Sequence, residues 1–356
     1  MDNNIVAIDK NFVIETSIER EGLRFFDAED APFRLHGIFK ENNMFRRMPE
    51  EIARSVSEGV YMLHTNTAGG RVRFVTDSTC VAVRAEFADM HFLSHMPRTG
   101  VVGLDMYVRE REKEKYCGTF VPPYDMQDGF ESILHLEEKK ERLVTINFPL
   151  YSSLSKLYIG VEKGADVKEA PDYKYETPVV YYGSSITQGG CASRPGMCYE
   201  HILTRKFDCN HINLGFSGSA KGEAAMRDWI KQLEMKVFVL DYDYNAENCE
   251  QLQATHERMF REVREVQPEV PIIIMSRPKR DLNDGEKKRL EIIRSTYKRA
   301  VDSGDKNVYL LDNEALTADI GDEGTVDNVH PTDSGFVSMA RAIAPVLDKI
   351  LGKLQE

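Results

Sequence analysis

The hydrophobic period of this 356-residue chain changes once, near residue 165, and that change limits the fold more than any other feature. Before it, short apolar segments alternate with a period of two. Arg71-Val-Arg-Phe-Val-Thr76 follows a Gly69-Gly70 turn, and Val81, Val83, Ala85 and Phe87 share one face. Leu143-Val-Thr-Ile-Asn-Phe148 and Leu157-Tyr-Ile-Gly-Val161 repeat the pattern, with turn-rich spacers between segments. Such a series predicts an all-β, jelly-roll-like sandwich, with one short helix at residues 48–57.

From about residue 177 a buried strand is followed by an amphipathic helix, several times over, which predicts a parallel sheet with helices on both faces. The expected strands are 179–182, 211–214, 237–240, 272–275 and 308–311, and the expected helices lie near 199–206, 223–232, 248–266, 286–303 and 334–351. Five parallel strands suit an α/β fold of the flavodoxin-like three-layer α/β/α kind. The expected boundaries are a sandwich over 1–165, a polar, proline-bearing linker over 166–176 and the α/β domain over 177–356.

Lys and Arg number 46 against 58 Asp and Glu, a formal charge of −12, with no long basic block, so nucleic acid is not an expected partner. The longest apolar runs, such as 271–275, fall far short of the ~20 residues of a membrane-spanning helix. Residues 1–10 have neither a basic start nor an apolar stretch of the secretory kind, which predicts a cytoplasmic protein, or a periplasmic or secreted one if a signal has been removed. Six cysteines without a C-x-x-C pair read as unpaired thiols rather than a zinc site. The charge run at 109–115 reads as a solvated strand end or hairpin.

In open α/β sheets ligands collect beyond the carboxyl ends of the strands. Four such loops carry polar residues here: Gly183-Ser-Ser-Ile-Thr-Gln-Gly189, Gly215-Phe-Ser-Gly218, Asp241-Tyr-Asp-Tyr-Asn245 and Asp327-Asn-Val-His330. A serine hydroxyl attacks at neutral pH only when a base takes its proton, and the base needs a partner to fix its tautomer. Ser185 and His330 supply the first two roles. Asp327, three residues before His330, supplies the third from a tight turn. The amides of Ser185 and Gly218 and the side chain of Asn245 are candidate oxyanion donors.

These four blocks resemble the SGNH (GDSL-like) hydrolase family, whose pattern is Gly-Asp-Ser-x-[Ser/Thr], a glycine turn, Gly-x-Asn-Asp and Asp-x-x-His. The matching residues are Gly183 to Thr187, Gly218, Asp243-Tyr-Asn-Ala246 and Asp327 to His330. Ser184 stands where the family has Asp, which leaves two adjacent serines, and Ser185 holds the nucleophile's place. Asp243 and Ala246 replace the Gly and Asp of the third block. The sandwich resembles the amino-terminal domain of some bacterial SGNH esterases. The α/β-hydrolase pattern fits worse, since the second Gly of its nucleophile elbow is missing.

The resemblance implies a serine esterase with residues 177–356 as catalytic domain, needing no cofactor or metal. It implies a small-molecule or oligosaccharide ester as substrate, chiefly acetyl on carbohydrate because no long apolar lid is evident. Rivals are a lysophospholipase, thioesterase or acyltransferase with the same triad, and a carbohydrate-binding protein with a relict catalytic half. Arg194 and Arg277, after strands one and four, are candidate substrate contacts against a plain reading as salt bridges. His64, His91, His95, His201, His211 and His256 show no metal-ligand spacing and read as surface or core histidines.

Overall fold

A computed structural model describes residues 9, 13–14, 18–110 and 113–353. Most of the segment read for a signal, and Arg111 and Glu112 of the charge run, lie outside the described residues. The run's flanks, Leu104–Glu110 and Lys113–Phe120, pair antiparallel.

The described amino-terminal half forms two large antiparallel sheets, beside a two-stranded ribbon of Phe39–Glu41 and Met44–Arg46. One has four strands in the order Leu23–Asp27, Ser152–Glu162, Cys80–Met90, Gly129–His135. The other runs Val167–Glu169, Arg71–Thr76, Arg142–Asn147, Leu104–Glu110, Lys113–Phe120, with Arg34–His36 also paired to Arg71–Thr76. Alternating residues such as Val72, Phe74, Val81, Val83, Val144 and Ile146 fill the space between them.

The carboxyl-terminal half is a five-stranded parallel sheet in the order Cys209–Gly215, Tyr175–Gly183, Val237–Asp241, Ile272–Met275, Val308–Leu311. In chain order this is 2-1-3-4-5, the flavodoxin-like arrangement. All four residues of Ile272–Met275 and all five of Val237–Asp241 are buried, as expected of strands covered on both faces. Asn248 caps Cys249–Val266, and Asn283 with Glu286 forms a capping box on Asp284–Asp302.

Two expectations change. The linker over 166–176 is not loose: Val167–Glu169 is a strand of the second sheet, and Tyr173 is buried with the Arg73 guanidinium 3.8 Å from its ring centre. The single short helix of the sandwich is instead Glu50–Val56 followed by Glu58–Leu63, and Arg98–Val101 adds a third helix. Ser57, extended at φ −170°, ends the first of these, and its side chain caps the second.

The two halves share their cores. One apolar cluster runs from the sandwich, through Phe148, Leu150 and Tyr151, to Val179, Tyr181 and Val239 on one face of the parallel sheet. On the opposite face Met48, Ala53, Val60 and Leu63 pack with Val180, Tyr182 and Leu214. Buried arginines pin the join. Arg47 donates to the carbonyls of Leu63 (2.7 Å) and Gly215 (2.5 Å). Arg71 donates to Asn210 Oδ1 (2.6 Å), Tyr173 Oη (3.1 Å) and His211 Nε2 (3.1 Å). No helix among the described residues is long and apolar enough to cross a membrane.

Candidate active site

Strand Tyr175–Gly183 ends in a turn into the four-residue helix Ser185–Gln188. A side chain at Gly183 would collide with Thr187 and the Asp241 carbonyl, so only glycine permits so sharp an exit. Ser184 Oγ accepts the Ile186 amide at 3.2 Å as the helix N-cap. Ser185 is therefore the first helical residue, where the backbone N–H has no partner within the helix. Its hydroxyl lies 2.9 Å from His330 Nε2. The two serines are thus separated by local geometry: one holds the backbone, the other meets the histidine.

The turn 325–331 presents the imidazole. Asp327 Oδ1 accepts the amides of Val329 (3.0 Å) and His330 (2.7 Å), and Oδ2 accepts His330 Nδ1–H at 2.7 Å. A carboxylate only accepts, so Nδ1 carries the proton and Nε2 is left to accept from Ser185. Burial pushes the pKa of Asp327 up, but the His330 amide and ring outweigh it and hold the carboxyl below its ordinary value. Gly190 keeps the histidine's flank clear: a Cβ there would lie 3.2 Å from His330 Cδ2 and 3.0 Å from the Ser185 carbonyl.

The oxyanion candidates come from the neighbouring loops. Gly218 is exposed at φ +66°, with nothing within 4 Å of the place a Cβ would take. The Ser217 amide donates to Gln188 Oε1 at 3.0 Å, while Gln188 Nε2 donates to Asn66 Oδ1 (3.1 Å) and the Leu150 carbonyl (3.2 Å). A sandwich residue thereby helps to orient the loop that carries Gly218. Asn245 donates one N–H to the Phe216 carbonyl at 2.8 Å, which leaves its second N–H available. The cap of the following helix is Asn248, whose Oδ1 accepts the Gln251 amide at 2.8 Å.

The two arginines read either as substrate contacts or as plain salt bridges both form ion pairs. Arg277 is 7% exposed, holds Asp243 through Nε (2.9 Å) and Nη2 (3.0 Å), and holds Glu286 through Nη1 (2.9 Å). Asp243, the departure from the family's third block, is thus the carboxylate of a buried ion pair. Arg194 binds Asp105 Oδ2 at 2.6 Å and lies over the Tyr116 ring, joining the sheets to the catalytic loops.

Sequence reasoning missed three contributors from the sandwich: Asn66, Tyr151 and His95. Tyr151 Oη donates to the Ser185 carbonyl at 3.2 Å. His95 places Nε2 3.6 Å from Asp327 Oδ2, with its ring centre 5.6 Å from that of His330. Phe92 and Leu93, both exposed, belong to the same loop as His95. No local pattern marks these residues; their relevance comes from docking the two halves.

Residues 176–348 match the GDSL-like lipase/acylhydrolase family, and residues 23–167 match the amino-terminal segment of SGNH-hydrolase-type esterases. The chain belongs to the SGNH hydrolase family. It is an esterase or acylhydrolase of that type, built as the two-part bacterial form with a β-sandwich ahead of the α/β domain. No curated protein matches it significantly by sequence. Among solved structures, this SGNH hydrolase is 28% identical to a Bacteroides ovatus protein assigned as a GDSL-like lipase, with TM-score 0.83, over 93% of this chain and 98% of that one. A salicylyl-acyltransferase from a tetracycline biosynthetic pathway shares the fold at 19% identity and TM-score 0.75, over 93% and 98%. A family two carbohydrate esterase from Cellvibrio japonicus shares it at 12% and 0.59, over 93% and 99%.

Proposed function

We propose that this SGNH hydrolase removes short O-acyl groups, chiefly acetyl, from carbohydrate through an acyl-enzyme on Ser185. The observation that carries the reading is the continuous relay from Ser185 Oγ through His330 to Asp327, at 2.9 Å and 2.7 Å. Ser185 Oγ attacks the ester carbonyl while His330 Nε2 takes its proton, and Asp327 stabilises the imidazolium that results. The carbonyl oxygen becomes an oxyanion held by the amides of Ser185 and Gly218 and by the spare N–H of Asn245. His330 returns the proton to the leaving sugar hydroxyl. Water, deprotonated by the same imidazole, then releases the acid and restores Ser185.

The carbohydrate part of the reading is supported by the shared two-part fold of the Cellvibrio japonicus esterase, which is an argument by analogy. Comparing kcat/KM on acetylated sugars with p-nitrophenyl acetate and octanoate tests it. Acetyl esters should be the better substrates; a clear octanoyl preference would move the assignment to lipid or thioester substrates and give Phe92 and Leu93 a part in it. The salicylyl-acyltransferase likeness favours one other reading, transfer of the acyl group to an alcohol instead of water. Added alcohol acceptors would then capture the acyl group in a larger share than their concentration relative to water would give.

A further inference from the structure

His95, Cys191 and His330 come from three separate parts of the chain: the sandwich loop before Arg98–Val101, the loop after Ser185–Gln188, and the turn after Asp327. One ring nitrogen of each histidine and Cys191 Sγ all lie within 4.8 Å of one another. His330 Nδ1 is committed to Asp327, so Nε2 is the atom this histidine has to offer. Zinc binds imidazole at about 2.0–2.1 Å and thiolate at about 2.3 Å in tetrahedral sites, which sets ligand atoms roughly 3.5 Å apart. The three side chains therefore have to draw together around one ion, and the His95 side chain, 40% exposed, has room to swing.

We propose that these three residues form an inhibitory site for a soft divalent cation, zinc above all, which occupies the place of the serine's proton acceptor and switches the esterase off. The donor set, two imidazoles and one thiol, is the chemistry that selects zinc over magnesium or calcium. On binding, zinc replaces the Cys191 thiol proton, which leaves to solvent, and takes the Nε2 lone pair that otherwise receives the Ser185 proton. The fourth coordination position is open to water. Chelation reverses the whole exchange. Because His95 belongs to the sandwich, this site exists only where the two halves meet.

The inhibitory effect rests on the proposed role of His330, whereas occupancy of the site does not, and two readouts keep them apart. Cobalt(II) added to the full chain should give a thiolate-to-cobalt charge-transfer band, abolished in Cys191→Ala, with at least tenfold weaker binding in His95→Ala. Micromolar zinc should lower turnover of p-nitrophenyl acetate at least tenfold, magnesium should not, and EDTA should restore it. Cys191→Ala should keep the metal-free rate and lose the zinc sensitivity. The inference is overturned by the absence of the cobalt band, by a band that survives Cys191→Ala, by cobalt or zinc binding without inhibition, or by zinc inhibition undiminished in both variants. If the chain turns over no ester at all, the cobalt spectrum alone decides whether the site exists.

Discussion

Ser184 and Ser185 differ in only one respect that matters, which is where the helix begins. Ser184 spends its hydroxyl on the Ile186 amide, and Ser185 turns its own toward His330. Ser185→Ala should abolish ester turnover and fluorophosphonate labelling with cooperative unfolding intact. Ser184→Ala should cost about 0.5–2 kcal/mol of stability, the usual worth of an N-cap, and retain turnover. Labelling with peptide mapping and urea melts read both. Asn245 allows an equally sharp test. Loss of an oxyanion donor lowers kcat by about 10²–10³ with little change in KM. Asn245→Ala should show that pattern, and Asn245→Asp, whose carboxylate accepts but does not donate, should be at least as slow. Near-native kcat in Asn245→Asp would remove Asn245 from the oxyanion hole.

At the scale of the element, the carboxyl ends of the parallel strands carry buried charges that steady the loops of the candidate site. Arg277 ties the loop after Ile272–Met275 to Asp243, in the turn that presents Asn245. Removing Arg277 leaves buried Asp243 with only Arg289, 3.9 Å away, and a fully broken buried pair costs about 3–5 kcal/mol. Arg277→Ala should therefore lower the urea midpoint strongly, whereas a substrate contact would raise KM at unchanged stability. Asp241, at the end of Val237–Asp241, is a different case. Burial, together with the charge of Asp243, pushes its carboxyl up to about 8, against the Thr187 hydroxyl that donates to it at 3.1 Å. The folded state thus holds a proton that the unfolded chain releases near the ordinary value of 3.8. This contribution is fully present below the unfolded value and is lost as pH rises through about 8. Urea midpoints should fall between pH 5 and 8.5, and Asp241→Asn should flatten that slope; an unchanged slope would refute the assignment.

Over the whole molecule, the sandwich is a structural part of the candidate active site. It supplies Asn66 to Gln188, Tyr151 to the Ser185 carbonyl and two helices to the far face of the parallel sheet. Cutting it away would expose Tyr181, Val179, Tyr182 and Leu214, and would leave the Ser217 loop without its anchor at Asn66. Residues 177–356 expressed alone should be aggregated or molten, with weak near-ultraviolet circular dichroism and no esterase activity. A cooperatively folded, active fragment would show that the halves are independent.

The sequence determined the elements and the chemical groups, because those depend on short-range physics. Strands 272–275 and 308–311 were read at their observed limits, since apolar runs and helix periods are local signals. The Asp327-to-His330 spacing was legible for the same reason: a three-residue turn brings a carboxylate to its own imidazole. The second sandwich helix was not, because Gly59, Val60 and Tyr61 are poor helix formers, and Val60 is held in the apolar cluster that includes Leu214 and Tyr182. Nor were the fates of Arg194 and Arg277, whose partners Asp105 and Asp243 lie 89 and 34 residues away. The nearness of His95 and Cys191 to His330, and the anchoring of Gln188 by Asn66, were decided only by the tertiary structure. Contacts across such separations are set by how two apolar faces dock, and nothing in the local pattern of either segment encodes that.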